Sequence, residues 1–139
     1  MAGGITPRRG GFTLVETLLA VVVAGLVMAI GIPRFLGVRE GMKLDAAVYQ
    51  LAGDLRRAQV EAVKRNQTVV VAKLDDSTYS MTFIGNRKFE PGVVFGGGAM
   101  TVSMASFGPP VGGGATFTVT YAARTKTVVV GANGLVTVQ

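Results

Sequence analysis

Apolar residues recur along this chain with three different periods, each predicting a different element. From Phe12 to Ile32 they are nearly continuous, and the one charge in the run is Glu16, close to its start. From Met42 to Asn66 they return every third or fourth residue. From Thr68 onward they fall in short runs, alternating with polar residues or rich in valine, and separated by Gly, Pro and Asn. The first pattern predicts a membrane-spanning helix, the second an amphipathic helix, and the third a β-sheet.

As a helix, Phe12–Ile32 would extend roughly 30 Å, the thickness of a bilayer core. Arg8 and Arg9 precede it, and Arg34 and Arg39 follow. An uncleaved single-pass anchor fits these flanks. A secretory signal peptide also fits, with Ala29-Ile30-Gly31 as a small-x-small cleavage site. Neither reading accounts for Glu16, because a carboxylate at membrane depth costs about 3 kcal/mol or more and generally has a partner. Gly31, Pro33, Gly37 and Gly41 then crowd the helix with weak helix formers, which predicts a bend or a loosened stretch between Ile32 and Gly41.

In the second helix Leu44, Val48, Leu51, Leu55, Ala58 and Ala62 are spaced 4, 3, 4, 3 and 4, a single core-facing stripe. Arg57, Glu61, Lys64 and Arg65 fall on the other side. Arg57–Glu61 and Glu61–Arg65 stand at i,i+4, and Asn66 is a helix stop. Strands are predicted at Thr68–Leu74, Tyr79–Ile84, Val93–Phe95, Thr101–Ala105, Thr116–Tyr121, Thr125–Val130 and Leu135–Val138. Asn133-Gly134 marks a hairpin between the last two. The simplest architecture is α+β: one long helix whose apolar stripe packs on a C-terminal antiparallel sheet.

Composition narrows the chemistry. The chain has 139 residues, and removing everything through Pro33 leaves roughly 105 residues for a small domain. It contains no cysteine and no histidine. Disulfides, thiolate metal sites and the usual hydrolytic triads are therefore excluded, and no enzyme, cofactor or metal is expected. Asp75-Asp76 reads as a turn, since calcium takes roughly six to eight oxygens. The glycine-rich stretches match neither a P-loop nor a dinucleotide fingerprint. Net charge is +6, and two of those charges are Arg8 and Arg9, so the basic balance is weak support for nucleic-acid binding.

Gly11-Phe12-Thr13-Leu14-Val15-Glu16 resembles the type IV prepilin processing motif, Gly-Phe-Thr-Leu-x-Glu. A double-glycine export leader also ends in Gly-Gly, but would not precede an apolar run of this length. The prepilin resemblance implies that a prepilin peptidase cuts after Gly11 and N-methylates Phe12. It places the family's glutamate at Glu16, fifth in the mature chain. There Glu16 of one subunit could neutralise the Phe12 amine of a neighbour, because two charges costly alone in low dielectric become tolerable as a pair. Pro33 lies where pilins often kink the helix. Thr17 departs from the Leu or Met common in that family.

The resemblance divides the chain into a cleaved basic leader (1–11), a transmembrane and assembly helix (12–33), a linker with amphipathic helix (34–66) and a β-sheet domain (67–139). It implies a single-pass inner-membrane protein with a periplasmic C-terminal domain, later carried into a pilus or pseudopilus. The implied partners are other pilins or pseudopilins, the peptidase, and the membrane with its assembly platform.

The stretch Ala46–Asn66, together with Pro91-Gly92-Val93, Ser106-Phe107-Gly108 and Val128-Val129-Val130…Gly134-Leu135-Val136, is similar to the GspH/FimT type of minor pilin or pseudopilin. Such subunits sit at or near the filament tip and help to prime assembly. Some are implicated in DNA capture for transformation. In this chain that alternative would fall on Arg87, Lys88, Arg124 and Lys126, which could join Arg56 and Arg57 in one basic patch. It is discounted because many relatives end in Gly-Arg-Val where this chain has Gly134-Leu135-Val136, and no charge follows Lys126.

Overall fold

The computed structural model describes residues 11–98 and 100–139. The leader assigned to 1–11, with Arg8 and Arg9, lies outside them except for Gly11. The chain divides into two compact units, Met1–Gly37 and Val38–Gln139.

One helix, α1, runs Leu14–Arg65. Its N-terminal part meets the length and hydropathy of a membrane span, with a mean hydropathy of 2.4 over its most apolar window, none of which is buried. The helix runs without a break through Pro33, Gly37 and Gly41. Of the two alternatives expected between Ile32 and Gly41, a bend or a loosened stretch, an unwound stretch does not form. A helix-interior proline such as Pro33 loses its own N–H and crowds the carbonyl one turn earlier, at a cost of about 3 kcal/mol, and each glycine weakens a helix by about 1 kcal/mol relative to alanine. Those local losses do not break a helix whose hydrogen bonds continue on both sides.

The helix ends as Asn66 predicts. Asn66 takes a left-handed conformation (φ 50°). Its N–H reaches the Val63 carbonyl at 3.2 Å, and the Gln67 N–H reaches the Ala62 carbonyl at 3.1 Å, the paired bonds of a Schellman cap.

All six stripe residues of the second helical half are buried, and none is more than 2% exposed. They pack on two antiparallel four-stranded sheets rather than one. In chain order the strands are β1 (Val69–Lys73), β2 (Thr78–Met81), β3 (Gly85–Lys88), β4 (Val93–Phe95), β5 (Thr101–Met104), β6 (Ala115–Tyr121), β7 (Arg124–Val130) and β8 (Val136–Val138). One sheet has the order β3-β2-β1-β5, the other β4-β6-β7-β8. Strand alternation sends Val69, Val71, Tyr79 and Met81 inward from the first sheet, and Phe95, Phe117, Val119 and Val128 from the second. An aromatic cluster joins them. Phe89 lies 5.4 Å from Tyr79 and 4.8 Å from Phe95, which in turn lies 6.4 Å from Phe117 between ring centroids.

β3 is absent from the sequence-derived strands, and the strand expected at Tyr79–Ile84 stops at Met81. Phe83 continues the alternation of Tyr79 and Met81 in sequence, but the chain has already turned. Met81 pairs with Gly85, and Phe83 sits in the loop at φ 67°, an uncommon conformation for a bulky side chain. Every residue of β3 is exposed, so it carries no apolar period to read.

Leu55→Ala tests the helix–sheet packing. Leu55 is fully buried, and such truncations cost about 2–5 kcal/mol through lost burial and residual cavity. We expect the thermal midpoint of the β-domain to fall by at least about 8 °C. An unchanged midpoint would mean that the stripe is not its core.

Candidate functional site

The motif residues form the start of the helix. Gly11, Phe12 and Thr13 precede the first helical residue, Leu14. Thr13 is the N-cap: its Oγ1 accepts the Glu16 N–H at 3.2 Å, while its carbonyl accepts the Thr17 N–H at 3.1 Å and the Thr17 hydroxyl at 3.2 Å. Thr13-x-x-Glu16 thus has the spacing of a capping box, with an acid three residues after the cap. Sequence reading missed this N-cap role of Thr13, although the spacing was visible. A carboxylate in the first turn also meets the positive end of the helix dipole.

The Gly11–Phe12 bond lies in non-helical chain, and Phe12 is 84% exposed. A side chain at Gly11 would meet nothing within 4 Å. The fold therefore does not require glycine there. From Leu14 to Ile32 every residue is exposed, and from Leu18 onward this surface is apolar and uncovered by the described residues.

The basic residues weighed for DNA contact lie on the β-domain in two separate settings. Lys126 forms an ion pair with Asp45 at 2.5 Å. That hydrogen-bonded carboxylate raises the pKa of the ammonium above its ordinary value. Arg124, beside it on β7, places its guanidinium against Gly41. Arg87 instead approaches Asp54, with Nε at 3.4 Å from Oδ2. Asp54 is the buried acid of the domain and also accepts the Tyr79 hydroxyl at 2.6 Å. Burial, reinforced by this carboxylate, pushes the phenol pKa up and keeps it protonated. The Lys88 carbonyl, next along β3, faces the Gln50 amide at 3.5 Å.

Asp45 and Asp54 are nine residues apart on one helix. At roughly 100° per residue they point in opposite directions around its axis. The Lys126 pair and the Arg87 pair therefore flank the core stripe on opposite sides and do not merge into one basic patch. Arg56 is also occupied, donating to the Val136 carbonyl at 3.0 Å. On the outer helix face Glu61 binds Arg65 at 2.9 Å, with Lys64 at 3.9 Å. This realises the Glu61–Arg65 spacing and holds the Glu61 carboxyl below its usual pKa. At the Asp75 turn the carboxylate accepts the Ser77 N–H at 2.7 Å, which lowers its pKa. Among the described residues, no group of three or more acidic, histidine or cysteine side chains could hold a metal ion.

Comparison with known proteins agrees with this geometry. Residues 6–32 match the family described as the prokaryotic N-terminal methylation motif. The chain is 32% identical over 92 residues to the pilin-like protein PilA1 of Thermus thermophilus, a match covering 63% of this chain and 58% of the length of PilA1. Its fold is similar to that of the type IV minor pilin FimU of Pseudomonas aeruginosa. In one crystal form the TM-score is 0.60 at 14% identity, covering 72% of this chain and 90% of FimU. In a second it is 0.58 at 13% identity, covering 69% and 92%.

Proposed function

We propose that this chain, a type IV pilin-like protein, is a low-abundance subunit that enters a type IV pilus or type II secretion pseudopilus at or near its tip and helps to prime assembly. A prepilin peptidase cuts between Gly11 and Phe12 and methylates the new amine. The apolar helix holds the subunit in the inner membrane, with the β-domain on the periplasmic side, until the assembly platform inserts it into the filament. Pro33 marks the segment where the helix can bend as subunits pack.

The observation that carries this reading is the helix start. Cleavage after Gly11 leaves a cationic amine two residues before Leu14, at the positive end of the helix dipole, where a cation is unfavourable. Glu16, in the first turn, supplies the opposite charge for a neighbour's amine as subunits stack, in an environment where an unpaired charge is costly. The exposed apolar surface behind it supplies the packing face.

A pilus-borne DNA receptor has less support. Lys126 and Arg87 already face carboxylates, and they lie on opposite flanks of the helix. DNA affinity built on phosphate contacts needs several cations that act together.

The test is abundance and dependence. In the host, filaments sheared from cells should contain this chain far below the amount of the major subunit, and its deletion should sharply reduce filament number. A chain as abundant as the major subunit, or a deletion strain with normal filaments, would overturn the priming role.

A further inference from the structure

The β-domain carries an exposed apolar surface beside the helix C-terminus that the proposed function leaves unused. Val60 and Val63 on the helix are 64% and 53% exposed, Phe107 is 77% exposed and Leu135 61%. They belong to one surface. A side chain at Gly108 would lie 3.8 Å from Val63 Cγ2, and one at Gly134 would lie 3.4 Å from Pro109 Cα. Gln59 donates to the Gly134 carbonyl, and the Ala105 N–H to the Pro109 carbonyl at 2.9 Å. The first bond ties the Gly134 loop to the helix, and the second closes the Ala105–Pro109 loop on itself. On the helix side of this surface lies a shallow hollow walled by Gln59, Val60, Val63 and Lys64, almost wholly apolar.

The charge around this surface is one-sided. Arg57, Val60 and Lys64 are spaced 3 and 4 on the helix and share a stripe. From Arg56 to Gln67 there are four cations and one acid, Glu61, and that acid is already bound by Arg65. Residues 105–114 and 131–138 contain no charged side chain. A second copy meeting this surface through the same surface would set cations against cations, which disfavours a symmetric pair. A shallow apolar hollow on the helix, beside the exposed Phe107 and Leu135, suits a protruding side chain on a partner.

We propose that the end of the β-domain formed by Val60, Val63, Phe107 and Leu135 is a docking surface for the β-domain of a different subunit of the same assembly. That partner presents an apolar centre with acidic residues at its rim. The inference rests on the chain being an assembled subunit, and goes further by naming the surface and the charge of the neighbour.

The chain has no cysteine, so Phe107→Cys gives the full-length protein a unique thiol. Coupled in intact cells to a thiol-reactive photo-crosslinker, it should yield one adduct, with the partner identified by mass spectrometry as a different chain bearing its own N-terminal methylation motif. Asn86→Cys, on exposed β3, should not give that adduct. Adding Arg57→Glu and Lys64→Glu should reduce it several-fold without changing the level of the chain in sheared filaments. A homodimer adduct, a lipid-only adduct, the same adduct from Asn86→Cys, or indifference to the charge reversal would each overturn the proposal. Presence in the sheared fraction without an adduct removes this inference alone, whereas absence of the chain from that fraction removes the assembled-subunit reading as well.

Discussion

Gly11→Leu is expected to leave the chain as full-length precursor, with essentially none of the processed form. The structure makes this result interpretable. A side chain at position 11 meets nothing within 4 Å, and the residue precedes both the Thr13 cap and the helix. The substitution therefore removes no contact, opens no cavity and strains no turn, so neither helix nor β-domain should change. Glycine is needed only by whatever grips the Gly11–Phe12 junction. A peptidase that closes on the backbone there has no room for a branched side chain. The readout is the mass of the membrane-bound protein in the host, with or without the leader. Normal processing of Gly11→Leu would remove the peptidase assignment and return the N-terminus to the simple anchor first considered.

Some elements were legible from periodicity because burial and period coincide. The stripe from Leu44 to Ala62 is apolar for one reason, packing on the sheets, and all six residues are buried. Val93–Phe95 was bounded correctly because turn residues enclose it on both sides. Other elements were hidden where the determining interaction is remote in sequence. β3 exists because its backbone pairs with β2 from Thr78–Lys88 to Met81–Gly85, and its exposed residues carry no trace of that pairing. The division into two sheets likewise depends on which strands meet. β1 pairs with β2 and β5, a choice that no single strand announces.

The candidate site divides in the same way. Gly11, Phe12 and Glu16 could be read directly because a local motif carries them. The pairing of Arg87 with Asp54, and of Lys126 with Asp45, could not, since each links residues far apart in the chain. Those ion pairs change the meaning of the basic residues. Seen alone they could have formed one patch, but in the fold two of them already face acids on opposite sides of the helix. Thr13 is the reverse case. Its spacing to Glu16 is local and in plain view, and in the fold Thr13 is the helix N-cap. Glu16 therefore lies in the capped first turn of the helix, and this local setting has to be separated from the intermolecular charge pairing proposed for it.

Glu16→Gln separates them. Glutamine can occupy the third position of a capping box as glutamate does, so the helix start should survive, but it carries no charge to offer a neighbour's Phe12 amine. Leaving that amine unpaired in a dry interface costs about 3–5 kcal/mol, so incorporation should fall by at least ~10-fold (about 1.4 kcal/mol per tenfold), while cleavage after Gly11 and folding of the β-domain stay normal. Glu16→Ala should behave similarly, with a further loss from the weakened cap. The decisive measurement is the ratio of Glu16→Gln to wild-type protein in sheared filaments, at equal levels of processed subunit in the membrane. The charge-pair account predicts a ratio of about one tenth or less, and a ratio near one would contradict it.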